Sequence, residues 1–123
     1  MYYRGSCNSS KQAVRWFKEH NIPFERLSIS QLKREEILRL LPLTDRGFAS
    51  FIKRPGKVGT ETQKSLQMLM NLKFNDALNF LNVNPDLLQT PIIIEGEKFV
   101  IGYNREEIRQ FIPRAQRRGT TEL

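Results

Sequence analysis

The stretch Thr90-Pro91-Ile92-Ile93-Ile94 decides the fold, because it places a proline directly before a continuous apolar run late in the chain. A short apolar run bounded by turn residues is typical of a buried strand. Glu95-Gly96 then supplies a turn before a second apolar run, Phe99-Val100-Ile101. The two runs together predict a β-hairpin.

A second motif lies near the other end of the chain. Cys7-Asn8-Ser9-Ser10 opens a segment whose apolar residues share one face at helical spacing. We expect a helix from Asn8 or Ser9 to about His20, ended by Pro23, because proline disfavours helical geometry in the residue before it. The motif therefore puts a thiol at the start of a helix.

Between the two motifs the pattern is mostly helical. Phe24–Ile29 alternates in part and predicts a second strand, and Ser30 is expected to cap the helix that follows. Thr44 is expected to cap a short helix, and the basic segment Lys53–Gly59 to be an irregular loop. Helices are predicted around Leu32, Ile37, Leu40 and Leu41, around Phe48, Phe51 and Ile52, around Leu66, Leu69 and Met70, and around Phe74, Ala77, Leu78 and Leu81.

The predicted order is βαβ, a helical block at about residues 30–84, and then ββα. Asn104 is expected to cap a last helix, carrying Ile108, Phe111 and Ile112, that ends at Pro113. A short first strand at Met1–Tyr3 completes an α/β fold class. We expect one domain over residues 1–123, with a polar, frayed tail at 114–123.

Composition excludes several classes of protein. With 39% hydrophobic and 27% charged residues, the 123-residue chain is expected to be an ordinary globular protein. No apolar stretch approaches the roughly 20 residues of a membrane span. Arg4 and Gly5 interrupt the N-terminus, so no secretory signal is expected. Since the single cysteine cannot form an internal disulfide, a cytoplasmic location is predicted.

The charge balance points to an acidic partner. Twenty Lys and Arg residues against thirteen Asp and Glu give a net charge of +7. Such an excess of positive charge favours binding to nucleic acid, to an acidic protein face or to a phosphate-like anion. Solubility alone is the alternative explanation, because many small proteins are basic.

Four segments together resemble the Spx and arsenate-reductase-related family of thioredoxin-fold proteins, and within it the Spx transcription regulators of low-GC Gram-positive bacteria. The segments are Ser6–Lys11 with the His20–Phe24 helix exit, Leu43–Gly47, Leu87–Ile94, and Ile101–Asn104 with Phe111–Arg114. The resemblance implies a thioredoxin-like core with the helical block as an insertion. It also implies a cis-proline at Pro91 facing Cys7.

The chain departs from the family pattern at three places. Ser10 stands where these regulators commonly have the second cysteine of a disulfide switch. Thr90 stands where the family usually has an anion-binding arginine before the proline. The first strand is expected to be a few residues short. The departures concern the redox motif, Cys7 with Ser10, and the anion pocket.

Cys7 is the candidate reactive group. A thiol before a helix N-terminus meets the positive end of the helix dipole and unpaired backbone N–H groups, both of which stabilise a thiolate. Arg4 and Lys11 act in the same direction, so we expect a pKa below the value of about 8.5 for a free thiol. An inert, partly buried cysteine is the alternative. Ser10 is expected to make a hydrogen bond at the helix N-terminus.

The resemblance places a contact for the C-terminal domain of the RNA polymerase α subunit at Gly47. Arg46, Lys53, Arg54 and Lys57 surround this glycine in sequence, with Arg39 close by, and are predicted to reach an acidic partner or the promoter DNA backbone. Solvated charge is the alternative for each residue singly. The predicted function is a transcription regulator, monomeric when free.

The alternative function is enzymatic. A thiol-dependent arsenate reductase or a glutathione-linked oxidoreductase would use Cys7 as nucleophile, with Arg54 and either Arg105 or Arg109 binding an oxyanion. Thr90 removes a principal donor for such an anion. Neither a metal nor a nucleotide cofactor is indicated, because the sequence has no Cys/His cluster and no phosphate-binding glycine loop.

Overall fold

A four-stranded mixed sheet forms the centre of the molecule in a computed structural model that describes residues 1–113. In spatial order the strands are β2, β1, β3 and β4. β1 and β2 are parallel, whereas β3 is antiparallel to both β1 and β4. The strands are β1 (Tyr2–Tyr3), β2 (Leu27–Ser28), β3 (Ile92–Glu95) and β4 (Lys98–Ile101). The predicted α/β fold class is confirmed, and the tail at 114–123 lies outside the described residues.

Helical structure fills the interval between β2 and β3. The α-helices are α1 (Asn8–Glu19), α2 (Arg34–Leu40), α3 (Thr60–Met70) and α4 (Phe74–Val83). The 3₁₀ helices are Ile29–Gln31, Leu41–Leu43, Gly47–Ser50, Pro55–Lys57, Pro85–Leu87 and Glu107–Phe111. The predicted helical block is therefore present between residues 29 and 87. No helix among residues 1–113 is long and apolar enough to cross a membrane.

Helix α1 ends as a Schellman motif. Asn21 adopts a positive φ of 55°, in the left-handed region that asparagine tolerates better than most residues. The Ile22 N–H donates to the Phe17 carbonyl at 3.0 Å and the Asn21 N–H to the Lys18 carbonyl at 3.2 Å. The predicted end near residue 20 is correct, but the cause is Asn21 as well as Pro23.

The prediction of Ser30 as a helix cap is wrong. Ser28 is the capping residue: its hydroxyl accepts a hydrogen bond from the Ser30 N–H, and the Gln31 side chain accepts one from the Ser28 N–H. This reciprocal pair stabilises a 3₁₀ turn, and α2 starts only after Lys33. Ser28 therefore caps the 3₁₀ turn, whereas Lys33 is the N-cap of α2 and makes no side-chain capping hydrogen bond.

Two other elements are shorter than predicted. Strand β2 contains Leu27–Ser28 rather than Phe24–Ile29, because β1 offers it only two residues to pair with. The last helix is a 3₁₀ helix, Glu107–Phe111, with Glu106 and not the predicted Asn104 at its N-cap position. The Asn104 side chain accepts hydrogen bonds from the N–H groups of Glu106 and Glu107 at 2.9 Å, in the turn that leads into this helix. The basic segment also contains a single 3₁₀ turn, Pro55–Lys57, where no regular structure was expected.

The sheet buries a separate hydrophobic cluster on each face. Successive strand residues point to opposite faces, so Ile92 joins one cluster and Ile93 the other. The larger cluster lies under the helical block and includes Phe51, Leu78 and Leu81. The smaller cluster packs beneath α1 and the last 3₁₀ helix; its members include Ala13, Trp16, Phe17, Val100, Ile108 and Phe111. The helical block is therefore packed on the sheet.

We expect Leu78→Ala to lower the free energy of unfolding by about 2–5 kcal/mol, because it leaves a cavity at a fully buried position of α4 in the larger cluster. Val83→Ala on the same helix is the matched control, since Val83 is 72% exposed and should change stability by less than about 0.5 kcal/mol. Urea unfolding measures both. Equal effects of the two substitutions would contradict the packing of α4 described above.

Candidate functional site

The Cys7 thiol lies against the segment that leads into β3. Cys7 precedes the first residue of α1 in an extended conformation (φ −87°, ψ 122°), and its N–H donates to the Arg4 carbonyl at 3.0 Å. Its sulfur lies 3.5 Å from the Thr90 carbonyl oxygen. The Thr90–Pro91 peptide bond is cis. The two motifs from opposite ends of the sequence therefore meet at one end of the sheet.

Hydrogen-bond donors around the sulfur outweigh the effect of its burial. Burial by itself would raise the pKa of the Cys7 thiol, but hydrogen bonds lower the pKa below its ordinary value. These come first from the Thr90 side chain, then from the backbone and side chain of Ser10, and then from the Ser9 backbone. Neither Arg4 nor Lys11 is among these causes. The thiolate is therefore stabilised by backbone donors at the start of the helix and by the side chains of Thr90 and Ser10.

Ser10 contributes to the loop as well as to the thiol. The residue is 1% exposed, and its hydroxyl oxygen accepts a hydrogen bond from the Arg4 N–H at 3.3 Å. Its hydroxyl thus joins the first turn of α1 to the loop that follows β1. A serine here holds the local structure, but it cannot close a disulfide with Cys7.

Arg4 has a role that the sequence does not show. Its guanidinium donates to the Pro85 carbonyl at 2.9 Å, to the Leu88 carbonyl at 3.4 Å and to the Thr90 hydroxyl at 3.4 Å. An arginine therefore lies next to residue 90, although it comes from the other end of the chain. No spacing rule predicts this contact, because 86 residues separate Arg4 from Thr90.

A cavity of about 450 Å³ opens beside the thiol. Its basic lining consists of Arg4, Lys53, Arg54 and Lys57. Arg105 and Arg109, the other anion ligands of the enzymatic alternative, are not part of this lining. Within residues 1–113, no three His, Cys, Asp or Glu side chains come close enough together to hold a metal ion. The geometry around Cys7 therefore suits an anion.

Lys53 is half-buried, whereas Arg54 and Lys57, the other basic residues of this segment, are exposed. Burial lowers the pKa of Lys53, and the positive charge of Arg4 lowers it further, whereas Asp86 and Cys7 oppose the shift. The residue follows a short antiparallel contact in which the Gln89 N–H donates to the Phe51 carbonyl at 2.8 Å. That contact fixes the basic segment beside the thiol.

Gly47 lies on an open turn next to the basic residues. It has a positive φ of 58°, and a Cβ atom built there would meet nothing within 4 Å. The N-cap position of the Gly47–Ser50 helix is Arg46 and not the predicted Thr44, although the Thr44 hydroxyl oxygen accepts a hydrogen bond from the Gly47 N–H at 3.0 Å. Arg46 lines a neighbouring cavity together with Arg54, whereas Arg39 is bound to Glu36 and to the Gly96 carbonyl.

The sequence matches a known protein family over most of its length. Residues 2–111 match the model of the ArsC family. The chain belongs to the ArsC family. Two solved structures share its fold: an ArsC family related protein from Bacteroides fragilis (TM-score 0.75, 20% identity, 89% of this chain and 93% of that chain) and a Staphylococcus aureus protein (TM-score 0.72, 17% identity, with the same two shares).

Curated relatives of this ArsC family member are named as transcription regulators. The chain is 35% identical to the global transcriptional regulator Spx of Bacillus subtilis and 34% identical to Spx 1 of Oceanobacillus iheyensis, each over 95% of this chain and 88% of the relative. It is 36% identical to Spx of Enterococcus faecalis over 93% of this chain and 86% of the relative. These relatives support a regulator role, and the recognised resemblance is confirmed.

We expect the rate of Cys7 alkylation by iodoacetamide to rise with pH around a midpoint below about 8.5, the pKa of a free thiol. The thiolate is the reacting form, and a lowered pKa populates it at lower pH. Thr90→Val should move the midpoint upward, because it removes the hydroxyl that stabilises the thiolate. Stopped-flow or mass-spectrometric rates across the pH range measure this midpoint.

Thr90→Ser is the matched control, since it keeps the hydroxyl while removing a methyl group. Its midpoint should stay near that of the unchanged protein. A midpoint at or above the free-thiol value in the unchanged protein would contradict the description of the site. So would equal midpoints for the valine and serine variants.

Proposed function

We propose that this ArsC family member is a Spx-like transcription regulator that binds the C-terminal domain of the RNA polymerase α subunit in the cytoplasm. The names of its curated relatives support the regulator role. The observation that carries the proposed contact is the open turn at Gly47, the position where the resemblance puts the polymerase contact. A Cβ atom at residue 47 would meet nothing within 4 Å beyond its two chain neighbours, which leaves room for a partner's surface to approach the backbone there.

Charge next to the turn supports the same contact. Arg46 and Arg54 are exposed, and Lys53 and Lys57 flank Arg54 in the same segment. A basic surface of this kind attracts an acidic protein face and speeds the encounter with it. Contacts from these side chains to promoter DNA phosphates are auxiliary in this proposal, since no base-reading motif accompanies them in the sequence.

The single cysteine changes how such a regulator is controlled. Because residue 10 is serine, Cys7 has no second thiol in the chain with which to form a disulfide. An internal disulfide therefore cannot switch the protein. We propose that its activity depends on the amount of protein present, and not on an internal disulfide.

Binding to the immobilised C-terminal domain of the polymerase α subunit tests the proposal. The unchanged protein should be retained, and Gly47→Arg should abolish retention by placing a long cationic side chain on the contact surface. Because residue 47 has a positive φ, the substitution also strains the backbone. The matched control is therefore Gly47→Asn, which tolerates this φ and adds less bulk.

Thermal unfolding separates the two effects of the arginine. Gly47→Arg should unfold at a somewhat lower temperature than Gly47→Asn, because only asparagine tolerates the positive φ, but both should remain folded at the assay temperature while differing in retention. An unchanged protein that is not retained would overturn the proposed partner. Retention of Gly47→Arg equal to that of the unchanged protein would overturn the proposed surface.

The cavity beside Cys7 supports a second candidate function. A thiol with a lowered pKa next to Arg4 and Arg54 suits attack on an oxyanion or on an anionic disulfide. A thiol-dependent arsenate reductase or glutathione-linked oxidoreductase would use Cys7 in this way. Thr90 counts against this candidate, because its hydroxyl offers an anion a neutral donor in place of the guanidinium usual in the family.

We expect no arsenate turnover above background when the protein is mixed with arsenate, glutathione and glutaredoxin, since a principal anion donor is absent. Arsenite formation over time is the measurement. Turnover that is lost in Cys7→Ser and raised by Thr90→Arg would make the enzyme the primary function. Turnover that persists in Cys7→Ser would indicate a contaminating activity.

A further inference from the structure

A groove runs along the free edge of β4. One cavity, of about 390 Å³, lies between the Thr44–Arg54 segment and β4, and the cavity beside Cys7 continues from it. Both cavities share four lining residues: Arg54, Gln89, Ile101 and Glu107. The groove thus extends from Arg46 to the thiol, with the end of β4 as one wall.

The backbone of β4 presents hydrogen-bonding groups to this groove. The Gly102 N–H donates to the Pro91 carbonyl at 2.7 Å, so Gly102 and Val100 direct their backbone groups toward β3. In an antiparallel pair, the residues that alternate with these direct their backbone N–H and C=O groups away from the partner strand. The N–H groups of Phe99 and Ile101 and the Ile101 carbonyl therefore face outward, and within residues 1–113 they have no hydrogen-bond partner.

The Phe99 carbonyl is the exception along this edge. Gln110 Nε2 lies 3.4 Å from it and donates a long hydrogen bond. The side chain of Gln110 therefore closes the edge next to the hairpin turn, while the part near Ile101 stays open. An incoming chain would pair with the open part, which is the part that both cavities share.

Most of the charged side chains that line the groove are positive. Arg46 and Arg54 line the wall that belongs to the helical block, and Arg4, Lys53 and Lys57 line its continuation. Asp45 and Glu107 are the acidic residues among the lining. Phe99 and Ile101 pack with the cluster under the helical block, so every second side chain of an added strand would face the basic wall.

We propose that the β4 groove binds an extended acidic peptide segment of a partner protein, which pairs with Ile101 as an added strand and directs alternate carboxylates to Arg46 and Arg54. Backbone pairing supplies affinity, and the period of two along the strand supplies specificity. This inference does not depend on the proposed polymerase contact, because the groove is formed without Gly47.

The test uses three synthetic peptides of equal length, acetylated and amidated. In the first, glutamate alternates with valine and threonine. The second has the same composition with its glutamates in one block. The third repeats the first with N-methyl groups on its glutamates, because in an antiparallel added strand the residues whose side chains face the basic wall are also the residues whose N–H groups face β4. Binding is followed by fluorescence anisotropy and by amide chemical shifts of the ¹⁵N-labelled protein.

The alternating peptide should bind, shift the Phe99 and Ile101 amides, and bind roughly tenfold more tightly than the blocked or N-methylated peptide. Arg54→Glu should weaken this binding by roughly tenfold, because it reverses a charge on the basic wall. Lys64→Glu is the matched charge control; Lys64 is exposed on α3, outside both cavities, and its substitution should leave the affinity nearly unchanged.

Equal affinity of all three peptides would overturn strand pairing, since it would show that the groove collects carboxylates by charge alone. Absence of binding, or shifts away from β4, would overturn the groove as a peptide site. Gly47→Arg should abolish retention on the polymerase domain without weakening peptide binding, because it adds a positive charge next to Arg46 and removes none. Failure of the peptides and failure of the polymerase contact are therefore distinguishable.

Discussion

The contact between the loop before α1 and the segment before β3 determines the rest of the structure. Arg4 donates to two carbonyls of the 85–88 segment, and the sulfur of Cys7 lies 3.5 Å from the Thr90 carbonyl oxygen. These bonds join the start of the chain to its last third. Because β1 pairs with β3 at a single residue pair, Tyr2 with Ile92, the side-chain bonds supplement a short backbone interface. The thiol environment, the basic cavity and the start of the hairpin all follow from this contact.

Much of this arrangement could be predicted from the sequence, because its signals are local or periodic. The hairpin follows from two apolar runs with a glycine turn, and α1 from the spacing of its apolar residues. The relation of Cys7 to Pro91 could be predicted only through family resemblance, since neither motif contains information about the distance between them. The cap at Ser28 escapes prediction because both Ser28 and Ser30 fit the start of a helix, and only the position of Gln31 distinguishes them.

The sequence predicts where the Cys7 thiol lies in the fold but not which groups lower its pKa. The sequence indicates a thiol at a helix start, and general rules assign the stabilisation of its anion to the helix dipole and to nearby cations. In the structure, the Thr90 hydroxyl makes the largest favourable contribution and Arg4 is occupied by backbone carbonyls. The family pattern marks Thr90 as the loss of an anion ligand. The Thr90 side chain also lowers the pKa of the Cys7 thiol, which a single sequence does not reveal.

The two edges of the sheet differ in a way that bears on self-association. β2 offers only two residues at one edge, whereas β4 offers four at the other. An exposed strand edge is a template for a second copy of the same chain. Two molecules that met edge to edge at β4 would bring Arg46 and Arg54 of one close to Arg46 and Arg54 of the other, and like charges would repel. The positive wall therefore disfavours edge-to-edge pairing of two copies through β4.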